Sequence, residues 1–383
     1  MNILCATNMP FAPEAFATLG SVTVKDGRSI TAADVREADI LAIRSTTKVN
    51  PALLDGSRVR FVGTATIGTD HLDIPYLESR GIPWCFSPGC NANSVAEYVC
   101  TALLTLARRH GFTLAGKTLG VIGVGNVGRR VVDKARALGL RVLLNDPPRA
   151  RLEESSAFLP LAELLPQCDI VTLHVPLTRS GPDATLHLAN AAFFAQLKPG
   201  TVFLNAARGP VTDTAALQAA MDRGTIGHAV IDTWEGEPAY RHELLPRVDL
   251  ATPHIAGYSY DGRVNGTVMV YREACRVLNL SPSWSPDHIL PAAPIPAMSL
   301  SATGRSEEDV LAEAVRRIYD IEADDARMRA SCVPDPAARA TAFDRLRKTY
   351  PERREFPHTQ LTLRDAAPTL VAKAAGLGFT LHP

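Results

Sequence analysis

The chain has 383 residues, 46% of them hydrophobic, with 40 basic against 40 acidic side chains and no net charge. That length exceeds one ordinary core and predicts two or three domains; the balanced charge, without a basic run, excludes a field that would attract a nucleic-acid backbone or an anionic bilayer. Seven cysteines without a C-x-x-C pair fit a reducing compartment and neither a disulfide frame nor a zinc site, so no metal is expected, and with no apolar run long enough to span a bilayer the expected location is the cytoplasm.

Residues 1 to about 90 alternate short apolar segments with helical stretches. NILCAT, SVTVKD, DILAIRS, RFVGTAT and PWCFSP read as strands separated by Pro, Gly and Asp, which makes a small parallel α/β unit. From Asn93 to Arg109 the apolar residues recur at helical spacing behind an Asn-Ser start, predicting a long helix that joins two domains. Residues 120–146 then give a strand, a glycine-rich turn, a helix and a second strand. Further strands are expected at 169–175, 201–207, 228–234 and 249–255, each after a helical stretch, so this region should be a doubly wound parallel sheet. SPSWSPDHILPAAPIPAM (281–298) is too proline-rich for a regular element and marks a boundary. Beyond it, 306–330 and 336–354 read as helices, and LTL and LGFTL as edge strands.

The expected fold class is therefore α/β, with two doubly wound parallel-sheet (Rossmann-like) domains and a small α+β carboxy-terminal domain. Expected boundaries are 1–93 with 258–284, then 94–257, then 285–383.

The glycine-rich turn carries the strongest chemical signal. In Gly123-Val-Gly125-Asn-Val-Gly128, the first glycine permits the tight turn, the second lets backbone approach a pyrophosphate, and the third lets the helix lie close to the sheet. The positive helix end then faces the phosphates. Asp146, at the tip of the next strand, is placed to accept both ribose hydroxyls and to repel a 2′-phosphate, so the expected cofactor is NAD rather than NADP.

Ligands of such sheets sit beyond the carboxyl ends of the strands, where three polar residues stand out: Arg208 in NAARG, Glu237 in DTWEGEP and His254 in TPHIAG. Oxidising a 2-hydroxy acid needs a base for the hydroxyl proton as hydride leaves the same carbon, a task suited to a neutral imidazole, so His254 is the candidate base. Glu237 is expected to orient that ring and favour its protonated form. The Arg208 guanidinium is expected to hold the substrate carboxylate through two hydrogen bonds.

Taken together, the R-G, E-G-E-P and P-H-I-A-G segments resemble the D-isomer-specific 2-hydroxyacid dehydrogenase family. Within it, IRSTTKVN (43–50), FVGTATIGTDHLD (61–73), SPGCNANSVAEYV (87–99), LLNDPPRA (143–150), TLHLA (185–189) and the tail FDRLRKTYPERREF (343–356) resemble a subgroup that oxidises 4-phosphoerythronate on the way to pyridoxal 5′-phosphate. The resemblance implies that Ser45, Thr66 and Tyr258 contact substrate. It also implies that Asn126, Val127, Val175, Ala206, Ala207, Asp232 and Gly257 join Gly123, Gly125, Gly128 and Asp146 around NAD, with a valine at 175 where relatives can carry threonine. A homodimer formed through residues 285–383 is implied as well. The substrate phosphate needs cations, and Arg44, Lys48, Arg345, Arg347 and Arg353 are all candidates. Fold and dyad alone also permit a 3-phosphoglycerate or other 2-hydroxyacid dehydrogenase, or an NAD-sensing corepressor-like protein.

Overall fold

The computed structural model describes residues 1–287 and 289–382. Contacts divide the chain into two compact units, residues 1–91 with 259–292 and residues 92–258 with 293–383. None of the described helices is long and apolar enough to cross a membrane.

In the first unit, β1 (Asn2–Ala6), β2 (Ser21–Lys25), β3 (Ile40–Ile43), β4 (Phe61–Thr64) and β5 (Trp84–Cys85) form one parallel sheet in the order β2-β1-β3-β4-β5. The central strands ILAI and FVGT are buried at every residue, as covering both faces of a parallel sheet requires. Gly63 is the close-approach position: a Cβ there would sit 2.2 Å from Val270 Cγ1, so only glycine lets the helix Tyr260–Val277 lie on β4. Strand order reverses between β1 and β3, and Arg44 and Ser45 directly follow β3. That is the usual place for ligand contacts.

The second unit contains β6 (Thr118–Ile122), β7 (Arg141–Asn145), β8 (Ile170–Leu173), β9 (Thr201–Asn205), β10 (Ile226–Ile231) and β11 (Leu250–Ala251), all parallel. Their order β11-β10-β9-β8-β6-β7 puts the reversal beside β6, whose carboxyl end carries the glycine-rich turn. The long helix, Ala92–His110, is buried almost continuously from Ala92 to Ala107, with its polar Ser94, Glu97 and Thr101 satisfied by hydrogen bonds. The strand expected over 249–255 is only two residues long. Pro253 follows and lacks the N–H that would continue the ladder.

The segment expected as a separate domain over 285–383 is divided by contacts, and its described residues from 293 onward cluster with the nucleotide sheet in one unit. β12 (Ala297–Ser301), β13 (Gln360–Arg364) and β14 (Thr380–His382) form a parallel sheet in that order. Thus LTL lies in the central strand of the three rather than at an edge. β12 was missed because it begins inside the proline-rich stretch. The helix Pro368–Leu377 was missed too, although its proline at the start and left-handed Gly378 at the end were visible signals. The helix expected over 306–330 is two, Glu307–Ile318 and Ile321–Ala330, because the Asp320 side chain caps the second through Ala323 N–H at 3.1 Å.

Three contacts bind this segment to the nucleotide half. A Cβ on Gly376 would meet Ala137 Cβ at 2.5 Å, so the helix Pro368–Leu377 packs closely on the helix Asn126–Ala137. The buried Lys134 ammonium donates to the Leu377 carbonyl at 2.5 Å. Arg353 reaches Glu97 on the long helix at 3.0 Å, with both side chains buried.

Candidate active site

The turn after β6 has the geometry a dinucleotide needs. Gly123 has φ +87°, and a Cβ there would strike the His174 carbonyl at 2.7 Å. A Cβ on Gly128 would fall 2.1 Å from the Gly123 carbonyl, so that glycine sets the helix against the turn. Gly125, by contrast, is exposed with open space at its Cβ position, and no side chain caps the helix that begins at Asn126. Its first N–H groups, with Asn126 exposed and Val127 half-buried, face a volume suited to phosphate.

At the carboxyl end of β8, burial pushes the His174 imidazole down to about 3, so it is neutral at physiological pH. Its Nε2 meets Thr172 Oγ1 at 3.0 Å, and its Nδ1 is buried without a partner among the described residues. An orphaned polar atom and an uncapped helix end around an open glycine fit a bound dinucleotide. Val175 lies half-buried next to His174, its Cγ1 2.9 Å from the Gly123 Cβ position.

The Asp146 carboxylate accepts from Val124 N–H at 2.8 Å and from Arg149 N–H at 3.1 Å, bridging the glycine turn and the following helix. Two donors leave lone pairs for ribose hydroxyls. Replacing Asp146 with alanine should therefore weaken NAD binding and narrow the preference over NADP, which paired fluorescence titrations would read. Unchanged affinities for both would remove the assignment.

The turns that carry Arg208 and Glu237 pack together at Trp234, and the Arg208 guanidinium donates to the Ala207 carbonyl at 2.8 Å. A Cβ on Gly209 would overlap the Trp234 carbonyl at 2.0 Å, so the turn carrying Arg208 lies directly against the turn carrying Glu237. Asn205 shapes the Arg208 turn from below: its side chain donates to the Arg208 carbonyl at 3.0 Å and accepts from Ala207 N–H at 3.0 Å. Ala206 and Ala207 are small and sit between them. Trp234 is pinned by its indole N–H on the Thr252 carbonyl at 2.8 Å, and its backbone N–H donates to Glu237 Oε2 at 3.0 Å. The other carboxylate oxygen, Oε1, is 2.5 Å from His254 Nδ1. Burial would raise the Glu237 carboxyl, but His254, the Trp234 N–H and Arg347 outweigh it and hold it below its ordinary value. The dyad therefore carries an ionised carboxylate.

His254 has φ +56°, a left-handed conformation that costs a non-glycine residue energy and persists only where surroundings enforce it. Asp232 enforces it. The Asp232 carbonyl accepts from His254 N–H at 2.8 Å, and its buried carboxylate accepts from Ile255 N–H at 2.8 Å, Ala256 N–H at 3.0 Å and Thr252 Oγ1 at 2.6 Å. With Asp232 only 1% exposed, this side chain, expected on NAD, holds the loop bearing the base. Gly257 and Tyr258 follow that loop and are half-buried.

Of the three candidate phosphate cations in the second unit, Arg347 is the one whose charge reaches the dyad. The Arg347 guanidinium lies 5.4 Å from the centre of the Tyr258 ring, and its charge is felt by Glu237. Burial works against that charge, and Tyr258 and Glu237 outweigh it, raising the guanidinium above its ordinary value. Arg347 Nε is buried with no hydrogen-bond partner among the described residues. Arg353 is committed to Glu97 and to Ser94 Oγ at 2.8 Å, and Arg345 is exposed. In the first unit, Ser45 and Lys48 are exposed, Arg44 donates to the Asn8 carbonyl at 3.3 Å, and Thr66 Oγ1 donates to the Gly68 carbonyl at 2.8 Å.

Known proteins are similar to this chain over much or all of its length. Residues 98–256 match the D-isomer specific 2-hydroxyacid dehydrogenase NAD binding domain, and residues 289–378 match a domain of unknown function, DUF3410. The chain is 47% identical over 378 residues to an erythronate-4-phosphate dehydrogenase of Ectopseudomonas mendocina, covering 99% of both chains. It is 48% identical over 367 residues to one of Salinibacter ruber, covering 93% of this chain and 92% of that one. Among solved structures, D-lactate dehydrogenase of Aquifex aeolicus, complexed with NAD and lactic acid, superposes with a TM-score of 0.57 at 26% identity, covering 73% of this chain and 96% of that one.

Proposed function

The chain belongs to the erythronate-4-phosphate dehydrogenases of the D-isomer-specific 2-hydroxyacid dehydrogenase family, NAD-dependent oxidoreductases, and from that premise we propose that it oxidises 4-phospho-D-erythronate to (R)-3-hydroxy-2-oxo-4-phosphooxybutanoate in pyridoxal 5′-phosphate biosynthesis. The observation that carries the proposal is the 2.5 Å contact of His254 with Glu237 at the carboxyl end of the nucleotide sheet.

Bound NAD would accept the hydride from the substrate's C2. His254 Nε2 takes the proton of the C2 hydroxyl as the carbonyl forms, and Glu237, ionised against Nδ1, stabilises the resulting imidazolium and fixes the ring. Arg208 binds the substrate carboxylate through its two-pronged guanidinium and so orients C2. Thr66 and Ser45 are retained as proposed substrate contacts, and Asn126, Val127, Val175, Ala206, Ala207 and Gly257 as proposed NAD contacts. Asp232 acts by holding the loop that bears the base.

Arg347 is proposed to bind the substrate phosphate with Tyr258, since its buried Nε has no hydrogen-bond partner among the described residues. Arg347→Met should raise KM for the phosphorylated acid by about tenfold or more, the value of one charge-assisted hydrogen bond, and leave KM for NAD unchanged; equal KM values in variant and parent would reject the role. A cytoplasmic homodimer is proposed as well, with sedimentation of the full-length chain as its check. NADH formation with 4-phosphoerythronate but not with 3-phosphoglycerate supports the substrate assignment. Failure to reduce NAD with any hydroxy acid would overturn it.

A further inference from the structure

At the opposite, amino ends of the nucleotide-sheet strands lies a second cluster of titratable side chains. His110 closes the long helix, His228 is near the start of β10, and Asp249 immediately precedes β11. His110 Nε2 is 2.8 Å and His228 Nδ1 is 3.1 Å from one and the same oxygen, Asp249 Oδ1. The other carboxylate oxygen, Oδ2, accepts from Ala229 N–H at 2.9 Å, which fixes the carboxylate with Oδ1 turned to the two imidazoles. The rings lie 3.8 Å apart, tilted by 31°, with Phe112 stacked beyond His228 at 6.3 Å. The three potential donor atoms fall within 4.8 Å of one another, and the side chains are 29%, 27% and 15% exposed, so an ion can enter from solvent.

We propose that His110, His228 and Asp249 form a binding site for a zinc-class divalent cation, separate from the dehydrogenase centre. Two imidazole nitrogens and one carboxylate oxygen suit an ion of intermediate softness with a fourth position left to water. The two imidazole-to-carboxylate separations, 2.8 and 3.1 Å, are near what bonds of about 2.0–2.1 Å around one ion require. Two features favour an ion over a simple hydrogen-bonded cluster: both imidazoles converge on one oxygen, and Ala229 N–H orients the carboxylate as an outer-shell partner does. The surroundings temper the affinity, since Arg109 donates to the Asp249 carbonyl at 2.7 Å and Lys117 lies 5.4 Å from the Phe112 ring centre. His228 and Asp232 are four positions apart along β10 and its exit, roughly 13 Å along an extended chain, so the ion acts away from the dyad. Its effect is structural, joining the end of the long helix to β10 and β11.

The test is titration of chelator-stripped, full-length protein with Zn²⁺ alone by calorimetry, and with Co²⁺ followed by absorption. The expected result is uptake of about one Zn²⁺ per chain, a raised melting temperature, and visible cobalt bands without the near-ultraviolet thiolate band that binding to any of the seven cysteines would give. His110→Gln, at an exposed helix end where folding is spared, and His228→Gln should each weaken uptake by more than the roughly 10–100-fold that loss of an outer-shell partner costs, with turnover unchanged. No uptake by the parent, a thiolate band, or affinity indifferent to both substitutions would overturn the site.

Discussion

His254→Ala should lower turnover by about 10²- to 10⁴-fold, the range for removal of a general base, while NAD affinity stays at the parent level. The separation follows from position: His254 stands at the exit of β11, whereas the glycine turn and Asp146 follow β6 and β7. Alanine inherits the φ of +56° at this residue, so a loss of activity through backbone strain has to be distinguished from loss of the base. His254→Asn makes that distinction, because asparagine tolerates the left-handed region better than most residues and cannot act as the base. It should be as inactive as the alanine variant. Glu237→Gln should fall between parent and alanine variant, since it keeps a hydrogen bond to Nδ1 but not the charge that stabilises the imidazolium. Steady-state rates with NAD titrations on all three variants check the scheme, and a His254→Asn enzyme with near-parent turnover would remove the base from residue 254.

Much of this was legible in the sequence because local pattern and local chemistry coincide. The glycine turn needs φ +87° at Gly123 and a bare Cα at Gly128, and no other residue type meets those demands. Strands such as ILAI and FVGT announce themselves as apolar runs, and the residues just past them were therefore open to inspection. What escaped the reading depends on contacts distant in the chain. Asp232, expected on NAD, also accepts the N–H groups of Ile255 and Ala256, 23 and 24 residues away, a role that no local pattern announces. Five basic residues were equivalent as phosphate candidates; only the fold shows Arg353 committed to Glu97 and Arg347 beside Tyr258. The cluster of His110, His228 and Asp249 spans 139 residues, and no spacing rule joins its members.

Above about pH 8, where Glu97 is ionised, Arg353→Met should destabilise the protein by about 3–5 kcal/mol, because removing one member of a buried ion pair strands the other. Glu97 is completely buried on the long helix and Arg353 is 5% exposed. The carboxylate also accepts from Phe356 N–H at 2.8 Å and Asn93 Nδ2 at 3.0 Å, and the guanidinium packs 4.0 Å from the centre of the Tyr319 ring. Burial, and after it the neighbouring Glu355 carboxylate, push Glu97 up to about 8, so charging this group in the fold is costly even with its partner present. Two consequences follow. A double variant, Glu97→Leu with Arg353→Met, should recover most of the lost stability, since it leaves no charge stranded. A group whose folded value exceeds its unfolded value of 4.5 contributes fully below 4.5 and loses that contribution as pH rises through about 8. The parent's stability relative to the double variant should therefore decline across that window, read as denaturant midpoints at its two ends. The pair also docks the segment that carries Arg347 beneath Tyr258, so Arg353→Met should raise KM for the phosphorylated acid at temperatures where the fold survives. A single variant as stable as the parent, or a parent-to-double difference that ignores pH, would show that this contact neither anchors the carboxy-terminal segment nor titrates with the fold.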